Sequence, residues 1–336
     1  MKPLDLAGLQ ERATSAAQHW AAGCRVTELH PMEGGTISLV YGARVLGGPT
    51  PDERVVLKVA PPGLPPVRNR DVLRQARCIG ALHGQPGVAV PPLLFCDEGE
   101  PDDIPPFFAT GLVAGECAEP LLEAERDRRP DDLVRARAFA AVEMLAALHR
   151  VDPAAIGLAD EPVTSPTDEV DRWARTFETV PEEVRVGYLD CATALRSTAP
   201  EPVPPVVVHG DYRLGNMLID RSRIGAIIDW EIWSRSDPRI DLSWLLFFTD
   251  QAGHPVVSPT VDSGMPTDVE LLEAYQAATG TPVRDLEWFH ALTRFKEAAA
   301  MALIAKHLAK GGDHGTLARM AEMLPALIAD ATARVR

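Results

Sequence analysis

Apolar residues recur at three- and four-residue intervals from about Leu4 to Ala22, which predicts an amphipathic helix. The period then shortens. VTELHPMEGGTISLVYGARVLGG predicts two strands around a turn at Gly34 and Gly35, and ERVVLKVA, ended by Pro61 and Pro62, predicts a third. Helical spacing returns from Asn69 to His83, with Val72, Leu73, Ala76, Ile79 and Leu82 on one face, until Gly84 and Pro86 end it. VAVPPLLFCDE and PPFFATGLVAG supply two more strands. After Gly115 the pattern is mainly helical. Helices are predicted over Asp131 to Arg150, around Trp173 and around Tyr188, and two more run from about Val283 to Lys310 and from Gly315 to Val335. Between them, Thr267 and Glu270 form a capping box for a helix that Gly280 ends.

One stretch breaks the helical half and carries chemistry. VVVHGDYRLGNMLID and IGAIIDWEIWSRSDPRID are apolar runs that end in polar side chains. Asp211 and Asn216 have the D-x-x-x-x-N spacing of a kinase-type catalytic loop, in which the Asp takes the acceptor hydroxyl proton and the Asn holds metal. Asp229 closes the second run, where a carboxylate bridges that metal to nucleotide phosphates. Lys58, central in VVLKV, is an odd choice for a buried strand unless its ammonium meets an anion, and nucleotide phosphate is the candidate.

HGDYRLGN followed by IIDWE resembles the aminoglycoside phosphotransferase family of small-molecule kinases, which has Gly-Asp where protein kinases have Arg-Asp. The resemblance implies an α+β, bilobal protein-kinase-like fold. Residues 1–113 would be a five-stranded antiparallel nucleotide-binding lobe with one helix, and residues 114–336 a larger, mainly helical lobe with the catalytic loop and acceptor-binding helices. It implies transfer of the γ-phosphoryl group of ATP, with GTP open as donor, to a hydroxyl of a small molecule, with Mg2+. Asp211 would be the base, Asn216 and Asp229 the metal ligands. Gly34, Gly35, Thr36 and Ser38 fall at the phosphate-covering hairpin, Lys58 at the phosphate lysine, and Gly111 and Val113 at the hinge that meets adenine. In that family a Glu on the following helix orients the lysine. Here that position is Gln75, with Asp71 one turn earlier as the substitute. Asp241, in DPRIDL, would brace the catalytic loop, and Ser236 replaces the usual Gly before Asp237 and Pro238. Gln75 also feeds an alternative, a catalytically weak nucleotide-binding pseudokinase acting as a binding module.

Composition narrows the partners. A formal charge of −15 without Lys/Arg clusters argues against nucleic acid, and leaves either a cationic substrate or, preferred, a merely solvated acidic surface. Glu270, Glu273, Asp285, Glu287 and Glu297 fit a cationic acceptor or, preferred, solvated helix faces. The longest apolar stretches fall short of the ~20 residues that span a bilayer, and the amino terminus lacks the apolar run of a secretory signal. Five scattered cysteines without a C-x-x-C pair read as reduced thiols. A cytoplasmic enzyme is expected. His209 is read as structural, Arg213 as a partner of phosphate or of Asp211, and Trp230, Trp233 and Trp244 as packing residues.

Overall fold

The structure, a computed structural model, describes residues 4–32, 38–50, 52–100, 103–123, 129–255 and 262–336. Its strands are β1 (Arg25–Pro31), β2 (Leu39–Leu46), β3 (Asp52–Val59), β4 (Leu93–Asp97), β5 (Phe107–Gly111), β6 (Val206–Val208), β7 (Met217–Asp220), β8 (Arg223–Ile227) and β9 (Ser234–Ser236). Its helices are α1 (Leu6–Trp20), α2 (Val72–Leu82), α3 (Asp131–Arg150), α4 (Pro166–Glu178), α5 (Tyr188–Ser197), α6 (Arg239–Phe247), α7 (Asp268–Thr279), α8 (Leu286–Lys310) and α9 (His314–Arg334). No helix among the described residues is long and apolar enough to cross a membrane.

The chain divides into two compact units, each assembled from several segments. The first comprises residues 1–118, 154–159 and 215–233, and the second residues 119–153, 160–214 and 234–336. The hairpin β7–β8 joins the first unit because its backbone is hydrogen-bonded there. Glu116 bridges Ile219, and the Ile227 N–H donates to the Ala89 carbonyl at 2.8 Å. Gly115 permits the approach: a Cβ there would lie 2.7 Å from the Ile219 nitrogen.

In the first unit an antiparallel sheet runs in the order β1-β2-β3-β5-β4. Val55, Leu57 and Val59 alternate into a core shared with Phe95, Phe107 and the Leu9, Ala13 and Ala17 face of α1. The unit therefore holds α1 as well as α2. Asp5 caps α1 by accepting the Gly8 N–H, and Asp71 caps α2 by accepting the Arg74 N–H.

The second unit is built around α8, which buries residues all round because α4, α6 and α9 pack on different sides of it. Phe295, fully buried, meets Phe177 of α4 at a ring-centroid distance of 5.2 Å. The Thr267–Glu270 capping box is present, and Gly280 ends α7 in the left-handed conformation at φ 68°. Truncation of Phe295 to Ala is expected to lower unfolding free energy by about 3–5 kcal/mol. Thr267→Ala, which removes one cap, is expected to lower it by about 1 kcal/mol. Urea unfolding followed by circular dichroism reads both, and equal losses would contradict the packing described.

Candidate active site

Lys58 lies on β3, paired on one side with Val40 of β2 and on the other with Phe108 of β5, so its stem is fixed in the middle of the sheet. Its ammonium meets two carboxylates: Asp229 Oδ1 at 2.9 Å and Glu231 Oε1 at 3.0 Å. Ser38 directs its hydroxyl to the same Glu231 oxygen at 3.1 Å. Neither α2 candidate touches the lysine. Asp71 is engaged as the helix cap, and Gln75 donates to the Asn69 carbonyl at 3.1 Å while its own carbonyl oxygen is buried without a hydrogen-bond partner. The orienting carboxylate comes from the loop after β8 instead. Burial pushes the Glu231 carboxyl above its ordinary range, and Lys58 opposes that shift. Gly34, Gly35 and Thr36 lie outside the described residues.

The β7–β8 register sets Asn216 and Asp229 at one end of the hairpin. Met217 pairs with Ile227, and the Ile228 N–H donates to the Asn216 backbone carbonyl at 2.9 Å. Asp229 follows directly, in the left-handed conformation with φ 64° and ψ 56°, an unusual backbone state for a side chain other than Gly or Asn. One buried amide and one half-exposed carboxylate at a shared hairpin end form a hard-oxygen donor pair, which fits magnesium, an ion bound through few protein side chains plus phosphates and water. At the hinge, the Gly111 N–H donates to the Pro92 carbonyl at 3.0 Å, and Val113 is half-buried just beyond β5.

Asp211 belongs to the second unit, on the loop after β6. The loop is held from beneath. Asp241 of α6, fully buried, accepts the His209 N–H and the Gly210 N–H, each at 2.7 Å, and faces His149 Nε2 at 3.5 Å. Burial raises the Asp241 carboxyl, but the bonds and charges from His149 and His209 reverse that and hold it below the usual aspartate range. The Asp211 N–H donates to His209 Nδ1 at 3.1 Å, giving His209 the structural role expected of it, and the Tyr212 hydroxyl donates to the Ala141 carbonyl at 2.7 Å. Asp211 Oδ1 accepts from the Trp244 indole at 2.6 Å and lies 3.4 Å from Arg213 Nε. Arg213 also faces Glu119 at 3.6 Å, so its partners here are carboxylates.

Three of these contacts were not anticipated. Glu231 stands in the quoted IIDWE, two residues past Asp229, and its signal is an acidic side chain inside an apolar run. Trp244 was read as packing, yet its N–H holds Asp211. Glu297 of α8, a possible acceptor ligand by its charge, is half-buried and lies 3.6 Å from His254 Nε2. Burial and the neighbouring Asp211 push its carboxyl up to about 7, against the pull of Lys296 and Arg213. His254 is held down to about 4 by burial and by Arg213, so it is neutral at neutral pH.

Residues 28–292 match the model of the phosphotransferase enzyme family. The chain belongs to that family. Among solved structures it is similar to a Ralstonia eutropha protein assigned as an aminoglycoside phosphotransferase, 19% identical, with 99% of this chain and 98% of that one covered and a TM-score of 0.75. It is also similar to an aminoglycoside phosphotransferase solved with GDP and kanamycin, 16% identical, with 95% and 98% covered and a TM-score of 0.61. An alignment 192 residues long, covering 52% of the chain, is 26% identical to the Gallus gallus acyl-CoA dehydrogenase family member 11, and spans only 24% of that relative's length. Family membership makes phosphoryl transfer the reaction class, and the fold is the kinase-like α+β fold.

The raised Glu297 carboxyl has a pH signature. Between its ordinary 4.5 and about 7 the folded state binds more protons at this group than the unfolded chain does, so its contribution to stability is lost as pH rises through that window. Glu297→Gln is therefore expected to melt above the wild type at about pH 8, with the difference shrinking towards pH 4.5. A difference independent of pH in thermal melts would refute the assignment.

Proposed function

We propose that this family member transfers the γ-phosphoryl group of a nucleoside triphosphate, ATP in the first instance, to a hydroxyl of a small molecule. The observation that supports the proposal is the hairpin end whose backbone register brings Asn216 beside Ile228 and Asp229, with the Lys58 ammonium bonded to the Asp229 carboxylate. In the proposed roles, Lys58 binds phosphate oxygens, and Asn216 and Asp229 hold magnesium, which when bound neutralises charge on the β- and γ-phosphates. Asp211, fixed by Trp244 and by its loop, accepts the proton of the attacking hydroxyl; a loose transition state asks little more of it than position. At the hinge an adenine amino group needs an acceptor and its ring nitrogen a donor. Because the Gly111 N–H is already given to Pro92, the proposed contacts are the Gly111 carbonyl and the Val113 N–H.

The carboxylate pairing of Lys58 supports an active enzyme over a weak pseudokinase, since the missing acid at Gln75 is replaced by Glu231. A family member with this acidic surface has amino sugars, other sugars and amino alcohols as its first acceptor classes to test. The deciding experiment is acceptor-dependent ADP release across a panel of hydroxylated small molecules, aminoglycosides and macrolides included. For the active acceptor, Asp211→Ala is expected to lower kcat about 100- to 10,000-fold with nucleotide affinity retained. Asp229→Ala is expected to remove the magnesium dependence of nucleotide binding. Full activity in Asp211→Ala would overturn the assigned chemistry.

A further inference from the structure

Lys296 lies midway along α8 with only 6% of its surface exposed. Among the described residues, no carboxylate hydrogen-bonds to it. Its ammonium donates to the Gly210 carbonyl and sits 3.5 Å from the centroid of the Trp244 ring, with the Trp173 ring at 5.8 Å. Burying an ammonium in this way is unfavourable, and neither a surface salt bridge nor snorkelling offsets it. Burial pulls the lysine below its ordinary range, while Asp211, Glu169 and Asp241 favour its charged form and Arg172 opposes it.

Both contacts lead to Asp211. The Gly210 peptide is gripped from two sides, its N–H by Asp241 Oδ1 and its carbonyl by Lys296, at a residue whose φ of 86° only glycine adopts readily. This clamp fixes the backbone immediately before Asp211. Trp244 meanwhile presents its ring face to the ammonium and its indole N–H to Asp211 Oδ1 at 2.6 Å. A cation over the face draws electron density from the ring and strengthens that N–H as a donor. We propose that Lys296 is a positioning residue for Asp211, acting through the Gly210 carbonyl and through a cation–π contact that orients and polarises Trp244. The proposal rests on the reading of Asp211 as the catalytic base.

The test uses the full-length chain, with magnesium-ATP as the probe. The Trp244 indole N–H resonance, assigned with Trp244→Phe, reports the hydrogen bond to Asp211 independently of activity. In Lys296→Met that resonance is expected to move and its solvent exchange to quicken about tenfold or more. The kcat of magnesium-dependent ATP hydrolysis is expected to fall about 10- to 100-fold with the KM for ATP unchanged. Trp244→Phe is expected to reproduce the kcat loss, and the double variant to lose less than the product of the two. Should Lys296→Met fail to fold, Lys296→Gln, which keeps a donor for the Gly210 carbonyl but removes the charge over Trp244, carries the same resonance and kcat tests. An unmoved indole resonance, a kcat within about twofold of wild type, or losses in kcat and affinity together would overturn the proposal. A wild type with no nucleotide turnover would instead count against the phosphotransferase reading, while the indole resonance still decides the role of Lys296.

Discussion

The carboxylate of Asp241 is the contact on which the loop carrying Asp211 depends. A loop that leaves β6 with two N–H groups pointing into the protein must satisfy them, because a buried unpaired donor costs about 1–3 kcal/mol. One carboxylate at the start of α6 accepts both, from His209 and Gly210, and faces His149 of α3. This tie to two helices determines the loop's path, and Gly210 turns through a left-handed backbone only because it lacks a side chain. Asp211 thus emerges from a peptide already held. The usual Gly before Asp237 is a serine here, and its hydroxyl donates to the Thr164 carbonyl, so the segment leading to α6 gains an anchor.

The same logic of charge neutralised at close range runs through the first unit. Lys58 on a central strand requires anions, and it finds them in Asp229 and Glu231, two residues apart on the loop after β8. Glu231 is in turn fixed by Ser38. The pairing couples the strand that carries the lysine to the hairpin end that carries Asn216, so the lysine, the asparagine and both carboxylates share one framework. Such a framework tolerates Gln75 on α2. The helix gives up its acidic side chain, and the lysine keeps its orientation through a different element.

Around Asp211 the second unit collects charges of both signs in a poorly solvated setting: Arg213, Glu119, Lys296 and Glu297. In such surroundings electrostatic interactions are stronger than in water, and each group's state depends on its neighbours. Glu297 illustrates the effect, since a carboxyl between burial and a like charge holds its proton to about pH 7. The acidic balance of the chain as a whole says little about this cluster of mixed charge.

Much of this protein was legible in its residues. Periodicity alone located the sheet strands, α3 over its full length and the capped α7, because short-range sterics and capping bonds act within a few residues. The D-x-x-x-x-N spacing and the acid after IGAII marked the chemistry for the same reason: a loop and a hairpin place side chains by local geometry. Packing decided the rest. Nothing local says that Glu231 lies against a lysine 173 residues earlier, or that Lys296 and Trp244 meet at the base of the loop carrying Asp211. Helical phase predicts that such side chains are buried but not what they touch, since α8 buries residues on every side, Arg294 and Lys296 among them, and the contact is chosen by which helices pack around it. The sequence by itself determined the elements and the reaction class. The tertiary structure decided which charges answer one another, because burial makes each of them find a partner wherever the fold brings one within reach.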